Sequence, residues 1–444
     1  MLMITPLVAL QKPKDISLDE IEAELNAIWH HQSINGAGGA TRASTFNMVV
    51  YEPEEFQQLL AILGFYEGEI DGIYIGQTKV AVEAAQAAYG LRITGQIDPI
   101  TLARLREEVQ KLPIEHQTHQ CLDLRGQGVS DAIAAQNPCR VITLCPTIGI
   151  DTGVTAQVSA YCPVHKTGGN LICCEYITLR GTKAALNRVG ELVTSLIIPD
   201  LPRFVWWKAT PNPEQELFIQ MAHCCNCIVM DSSYFGDSEA EFLKIQELVE
   251  SGTYVADLNW HRLAPWQELT AATFDPPERR MALQEVDQIA IDYEKGNGAQ
   301  ALMFLGWFAS RMGWHPQSYV ETGGEYDLEH IYFTNSEGRP VEAELAGIPV
   351  IDSGEISGDL VALRITSTNP LANCCTILCS ETSGCMRMEA GGTAQSCHSE
   401  QVTATTDQKA EFLLSQQLQR WGREVLYEES LTVTAQLIKL KRRV

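Results

Sequence analysis

Leu196-Ile197-Ile198-Pro199-Asp200-Leu201-Pro202-Arg203-Phe204-Val205-Trp206-Trp207-Lys208, followed after a helical run by Cys227-Ile228-Val229-Met230-Asp231-Ser232-Ser233, is the stretch that decides the fold. Two short apolar runs flank one amphipathic helix, and each run ends in polar or turn residues. That is the pattern of a βαβ unit whose strands are buried on both faces. Pro199 and Pro202 end the preceding helix and set off the first strand. Side chains alternate along Phe204–Lys208, so Trp206 and Trp207 point to opposite faces of the sheet. Both fit a core; one of them also fits a surface against a neighbouring element or a partner.

Working outward, helix and strand patterns alternate from Gln127 onward: a helix over 127–136, strands at Cys139–Cys145, Val154–Cys162 and Asn170–Leu179, then a helix at 182–197. The strand around Trp206 follows, then a helix at 213–224, the strand at 227–231 and a helix at 238–250. Alternation of this kind implies an α/β layer with a largely parallel sheet. On the N-terminal side, Ser17-Leu18-Asp19-Glu20 is a capping box before a helix over 17–31, and Thr45–Tyr51 is a strand. Residues 262–312 read as mainly helical, with one long helix opened by Asp275-Pro276-Pro277-Glu278 and a buried one over Ala299–Trp314. The last third carries short alternating runs at Leu328–Phe333, Leu360–Thr366, Cys374–Cys379 and Ser430–Leu440, with a helix near 407–421. The fold class is therefore multidomain α/β and α+β: a mainly parallel layer, and a C-terminal antiparallel α+β domain over 316–444.

Between the strand at 45–51 and the rest of the layer lies a compact unit. Phe56, Leu59, Leu60 and Leu63 share a helix face that Gly64 stops. Thr78–Tyr89 and Pro99–Val109 are further helices, the last with Asp98 placed to cap it. Leu60, Gly64-Phe65-Tyr66, Gly68, Ile70-Asp71-Gly72, Gln86, Gly90-Leu91, Thr94-Gly95 and Thr101 resemble the peptidoglycan-binding-like three-helix module. That resemblance implies the fold, and a scaffold for protein contact is the economical reading. The domains expected are 1–52 (helix and strand of the α/β layer), 53–111 (the inserted module), 112–315 (the α/β domain) and 316–444.

Composition narrows the function. Among 444 residues, 32 basic against 56 acidic give a net charge of −24. A protein that reads nucleic-acid backbones needs clustered Lys and Arg, and an acidic chain is repelled by anionic membranes. No signal peptide or spanning segment is visible, so a cytoplasmic protein is expected. The one basic cluster, Lys439-Leu440-Lys441-Arg442-Arg443, reads as a solvated tail. No Gly-x-Gly-x-x-Gly, Walker loop, Gly-x-Ser-x-Gly elbow or His-Glu-x-x-His is present, so no catalytic residue, cofactor or metal is assigned. The topology still allows a pocket at the carboxyl ends of the parallel strands, which makes Trp206, Trp207, Lys208, Asp231, Ser232 and Ser233 the candidate partner or ligand surface.

Fourteen cysteines are many for such a chain. Cys224-Cys225-Asn226-Cys227 contains a Cys-x-x-Cys, but no second pair stands at zinc spacing, and Cys162-Pro163-Val164-His165 is some sixty residues away. Buried thiols are the reading there, as for Cys139, Cys145, Cys173 and Cys174 in strand-like runs. Cys379 and Cys385 differ: five small turn-forming residues separate two cysteines at probable strand ends. A hairpin of that length brings their Cα atoms toward the ~4.4–6.8 Å window of a disulfide. They are either a reversible switch or idle thiols, with Cys374, Cys375 and Cys397 as alternative exchange partners.

Pro13-Lys14-Asp15, Ser17, Glu20-Ile21-Glu22, Thr41-Arg42-Ala43-Ser44-Thr45-Phe46-Asn47, Val49-Val50-Tyr51, Ile198-Pro199-Asp200-Leu201-Pro202 through Trp206-Trp207, and Asp231-Ser232-Ser233 resemble the glucose-6-phosphate dehydrogenase assembly protein (OpcA) family in its cyanobacterial form. The resemblance runs over nearly the full chain. It implies a non-enzymatic partner and allosteric activator of glucose-6-phosphate dehydrogenase in the oxidative pentose phosphate pathway. It further implies tuning by thiol state, with thioredoxin as reductant. The rival class is an enzyme or binding protein for a sugar phosphate or nucleotide at the carboxyl edge of the α/β sheet.

Overall fold

A computed structural model describes residues 7–35, 40–42, 44–52, 55–66, 77–95, 99–111, 138–147, 151–163, 171–209, 211–213, 215–235, 237–349, 358–369, 371–372, 374, 376–381, 385–390, 399–404, 410–420 and 422–442. The helix expected over 127–136 lies outside them. The chain divides into two units. The first comprises Met1–Met230, Thr253–Ala256 and Glu411–Trp421; the second comprises Asp231–Gly252, Asp257–Ala410 and Gly422–Val444.

The first unit is built on a nine-stranded sheet: β1 (Leu7–Ile16), β2 (Ala40–Arg42), β3 (Phe46–Tyr51), β4 (Cys139–Thr147), β5 (Thr155–Pro163), β6 (Leu171–Thr182), β7 (Arg203–Trp207), β8 (Cys227–Met230) and β9 (Val255–Asp257). The path is β1-β5-β6-β4-β3-β7-β8-β9, with β2 paired to β6. β3 runs parallel to β4 and β7, β4 parallel to β6, and β7 parallel to β8, whereas β1 and β5 are antiparallel additions. Taken by chain order, the six strands β6-β4-β3-β7-β8-β9 stand as 3-2-1-4-5-6, the doubly wound order whose switch point lies between the first and fourth strands. β3, β7 and β8 are buried almost throughout, as the unbroken apolar runs require.

The three-helix module leaves the sheet directly after β3. Its helices Glu55–Ile62, Gln77–Ala88 and Pro99–Gln110 share a core of Phe56, Leu59, Leu60, Tyr66, Ala81, Val82, Ala85, Leu105 and Val109. Gln86 is fully buried and its amide is saturated. The NH2 donates to Thr94 Oγ1 and Thr101 Oγ1 at 3.0 Å each, and the oxygen accepts from the amides of Thr94 (2.8 Å) and Gly95 (3.0 Å). Gly95 adopts φ +64°, which leaves its amide free to turn toward Gln86 at no Cβ cost.

The second unit carries an eight-stranded sheet: β10 (Gln288–Glu294), β11 (His315–Gly323), β12 (Leu328–Thr334), β13 (Pro340–Ile348), β14 (Leu360–Thr366), β15 (Thr376–Glu381), β16 (Cys385–Ala390) and β17 (Ser399–Ala404). The order is β11-β12-β13-β10-β14-β15-β16-β17, and every pairing is antiparallel except β10 with β13. The helices Ala299–Met312 and Val425–Lys441 pack together and against one face of it.

Five local expectations are corrected. Ser430–Leu440 is helix, not strand: its Thr-Val-Thr run is β-prone, but the buried positions Tyr427, Ser430, Leu431, Thr434, Ala435 and Ile438 recur at helical spacing. The helix opened by Pro277 ends at Leu283, and β10 interrupts the supposedly helical 262–312 with a period-two burial pattern. Leu7–Ile16 is a strand that its composition did not announce. Ser17 caps no amide: its hydroxyl donates to the Glu20 carboxylate instead. Lys441 is no solvated tail. Its ammonium sits 2.6 Å from each of Glu239, Glu321 and Glu329, within 5.3 Å of the Tyr319 ring centroid, and its pKa is raised by those carboxylates against the opposing pull of burial.

Candidate functional site

The switch point of the first sheet is where a doubly wound fold places a ligand, outside the carboxyl ends of the strands. A dinucleotide there needs a glycine-rich turn straight after the first strand and a helix N-terminus behind it. The residue following β3 is instead Glu52, 4 % exposed, with its amide bonded to the Leu144 carbonyl at 2.9 Å. Lys208, at the end of β7, donates to the Tyr51 carbonyl from its backbone and to Glu52 Oε2 from Nζ at 2.7 Å. Lys208 is thus already paired, and a carboxylate stands where the phosphates would lie. Behind it Cys145 is buried, and burial with the Glu52 charge pushes its thiol up to about 12.

Both tryptophans belong to the interior. Trp207 stacks on Tyr51 with centroids 3.8 Å apart and meets the Phe218 ring edge-on at 4.9 Å; Trp206 lies under the Lys208 ammonium at 4.8 Å. Opposite faces of the sheet receive them, as alternation requires, and both are under 5 % exposed. Neither offers area to a partner.

Asp231, Ser232 and Ser233 are equally interior, in the second unit. Asp231 takes both arms of the Arg262 guanidinium (2.7 and 2.8 Å) and the Ser233 hydroxyl (2.6 Å). Asp257 Oδ1 accepts from the amides of Ser232 (3.0 Å) and Asn259 (2.9 Å). Asn297 donates to the Ser232 and Ser233 carbonyls, and Gln300 bridges Asn259 and Asp359. Burial, helped by the Asp231 charge, pushes the Asp257 carboxyl up to about 7. The cluster holds backbone and one guanidinium in place. It is a structural knot, so the six residues expected to face a partner or ligand are held inside their own units.

Several working residues escaped the sequence reading. Asn47, fully buried on β3, grips the Ile198-Pro199 turn through both ends of its amide (Nδ2 to the Ile198 carbonyl 3.0 Å, Ile198 amide to Oδ1 2.8 Å). The turn runs into Asp200 at φ +64° and borders a cavity of about 670 Å³ lined by Ile198, Asp200, Arg203, Asn226 and Tyr254, at the amino ends of β7 and β8. Glu175 is 1 % exposed and binds Trp29 Nε1 (2.6 Å), Arg42 Nε (2.6 Å) and Arg140 Nε (2.9 Å), while Arg140 also donates to the Leu196 carbonyl. Arg42, Asn47 and the 196–203 stretch sat inside motifs that the sequence singled out, whereas Glu175 and Arg140 did not.

The cysteines sort differently from expectation. Cys162 and Cys173 form a disulfide across β5 and β6, packed against Trp29, although Cys173 read as a plain core thiol. Their opposed register is a cross-strand relation that spacing of eleven residues alone does not reveal. Cys224 and Cys225 are half-buried thiols whose pKa values burial raises, Cys225 to about 12. Among the described residues no group of His, Cys, Asp and Glu is arranged to hold a metal ion. Cys374 is buried. Cys379 and Cys385 occupy strand positions opposite Arg387 and Glu381, respectively; their side chains, and all of Cys375 and Cys397, lie outside the described residues. No described helix is long and apolar enough to cross a membrane.

Three family models match. Residues 130–247 match the glucose-6-phosphate dehydrogenase subunit N-terminal domain, 253–431 its C-terminal domain, and 51–105 the family described as "Putative peptidoglycan binding domain". Curated relatives carrying the name "Putative OxPP cycle protein OpcA" align over nearly the whole chain. The protein from Synechococcus elongatus is 58 % identical, with 97 % of each chain covered. That from Nostoc punctiforme is 54 % identical over 99 % of this chain and 97 % of its own. That from a Synechocystis strain is 51 % identical over 98 % and 94 %.

Proposed function

Since the chain belongs to the OpcA family of glucose-6-phosphate dehydrogenase subunits, we propose that it is a non-enzymatic assembly factor and allosteric activator of that dehydrogenase. The observation that carries the non-enzymatic half is the switch point: Glu52 and Lys208 neutralise each other where a doubly wound enzyme would receive its cofactor's phosphates. The inserted module departs from the sheet at the same place, so the first βα turn is spent on a scaffold. The partner follows from family membership.

An effector must bind the productive state of its client better than the unproductive one. A 10- to 100-fold gain in the client's substrate affinity needs about 1.4–2.8 kcal/mol of differential contact. We assign thiol control of that contact to Cys379 and Cys385, with thioredoxin as the reductant in a cytoplasmic setting. The antiparallel β15–β16 pairing supports it, and it sets a condition. In this register the two cysteines are diagonal neighbours, ~7–8 Å apart, so bonding them draws the strand ends together.

The test is the dehydrogenase assayed with and without this chain, each after oxidation and after reduction by thioredoxin. Activation that is strongest for the oxidised chain and lost in Cys379→Ser supports the whole reading. Unchanged client kinetics in every thiol state, with no co-elution, overturns it. Turnover of phosphosugars by the chain alone would install the enzyme in its place.

A further inference from the structure

Among the described residues, the eight-stranded sheet has one face under helices and one without. Ile289, Ile291 and Tyr293 of β10, Ile331 and Phe333 of β12, and Leu363 and Ile365 of β14 are buried on the helix side. Register assigns the residues between them to the other face in rows. One row runs Val320–His330–Glu344–Ala290–Arg364; the next runs Ser318–Tyr332–Glu342–Gln288–Thr366. Along these rows the Glu342 and Glu344 side chains are each 43 % exposed, and Val320, Tyr332 and Arg364 are exposed too.

The chemistry of the face is lopsided. Glu342, Glu344 and Asp292 share it with Arg364 and His330, whose Nδ1 stands 3.4 and 3.9 Å from the two glutamates. In register Glu342 faces Tyr332 and Gln288 and Glu344 faces His330 and Ala290, and Asp292, diagonal to Glu344, adds a second negative charge across the strands. Exposed Tyr332 and Val320 lie among the carboxylates. A central aromatic within a charged rim is the composition of a docking patch. Size agrees. Eight strands at ~4.8 Å spacing and six to nine residues in length make a plane of roughly 800 Å², the amount a standard complex buries on each partner.

We propose that this helix-free face, centred on Glu342, Glu344 and Tyr332, is where the dehydrogenase docks, through a basic patch of its own. The inference rests on the function proposed above and adds the surface and its sign. A second copy of this chain is the poorer occupant, because the same acidic rows would meet one another. The β15 and β16 strands that carry Cys379 and Cys385 continue the same sheet, so a thiol change there reshapes the edge of the docking face.

Binding of the full-length chain to the dehydrogenase would be measured by titration at 0.15 M salt. The variants are Glu342→Lys/Glu344→Lys, the milder Glu342→Gln/Glu344→Gln, and a control reversal of two exposed carboxylates elsewhere, Glu247→Lys/Glu268→Lys. The face reversal should weaken binding at least tenfold and the neutral pair at least threefold, with the control within threefold of wild type. Equal effects of face and control reversals, or none from either face variant while wild type binds, overturn the surface and leave the function standing. Wild type that fails to bind overturns both. Sedimentation of the chain alone covers the remaining occupant: a dimer that the face reversal dissolves would replace the dehydrogenase by a second copy and overturn the proposal.

Discussion

Replacing Asp257 by Asn should stabilise the second unit, and by more as pH rises. The carboxyl is buried, its Oδ1 accepts two backbone amides, and Oδ2 has no hydrogen-bond partner among the described residues. Burial moves its pKa from 3.8 to about 7. A folded-state pKa above the unfolded value means the folded protein holds the proton longer. Stability from this group is therefore complete below pH 3.8, falls as pH rises toward 7, and is flat beyond. At 1.36 kcal/mol per pH unit the full loss is about 4 kcal/mol, of which about 2 kcal/mol falls between pH 5 and pH 7. Asn keeps the acceptor for Ser232 and Asn259 and mimics the protonated acid, so it escapes the loss. Urea unfolding at pH 5, 6, 7 and 8, with hydrogen exchange on peptides covering 257–262 to isolate this unit, reads the difference between variant and wild type. That difference should widen by about 2 kcal/mol between pH 5 and pH 7 and then level off. A difference independent of pH, or one that narrows, would refute the assignment of a neutral buried acid.

Three further outcomes follow from single contacts. Lys441→Met should cost about 2 kcal/mol and speed hydrogen exchange in Val425–Lys441, because three carboxylates lose their shared cation at a site 16 % exposed. Gly306→Ala should cost at least about 2 kcal/mol in calorimetry. A Cβ there would strike the Ser430 carbonyl and the Thr434 hydroxyl, and the Ser430 and Thr434 hydroxyls donate to the Met303 and Leu302 carbonyls across the helix pair. Cys162→Ser/Cys173→Ser should lower the stability of the first unit by about 3 kcal/mol through a freed loop of eleven residues, and change tryptophan fluorescence because Trp29 packs on the bond.

Where periodicity and burial coincide, the sequence was legible. Phe46–Tyr51, Arg203–Trp207 and Cys227–Met230 are strands because unbroken apolar runs this short have no other home in a parallel sheet, and Pro199 and Pro202 punctuate the turn before β7. Ser430–Leu440 was misread because β-branched residues also serve a helix that is buried along a broad stripe; the Gly306 partner that makes Thr434 useful there lies more than a hundred residues away. Function was hardest where residue type misleads. Asp231-Ser232-Ser233 looks like a polar edge, yet Arg262, thirty residues on, turns it inward. No local pattern announces such a partner.

The interior cations make the argument about function one of disposal. Arg140 with Glu175, Arg262 with Asp231, Lys208 with Glu52 and Lys441 with its three glutamates are each held by carboxylates of the same unit. Of these, Lys208 with Glu52 lies at the switch point, and such pairs are kept for geometry more than for stability. The second unit also carries a sheet face bearing Glu342, Glu344 and exposed Tyr332, with His330 standing near both glutamates. Under the docking proposed above, those interior pairs hold the face in one shape, and an effector acts only through the state its surface fits.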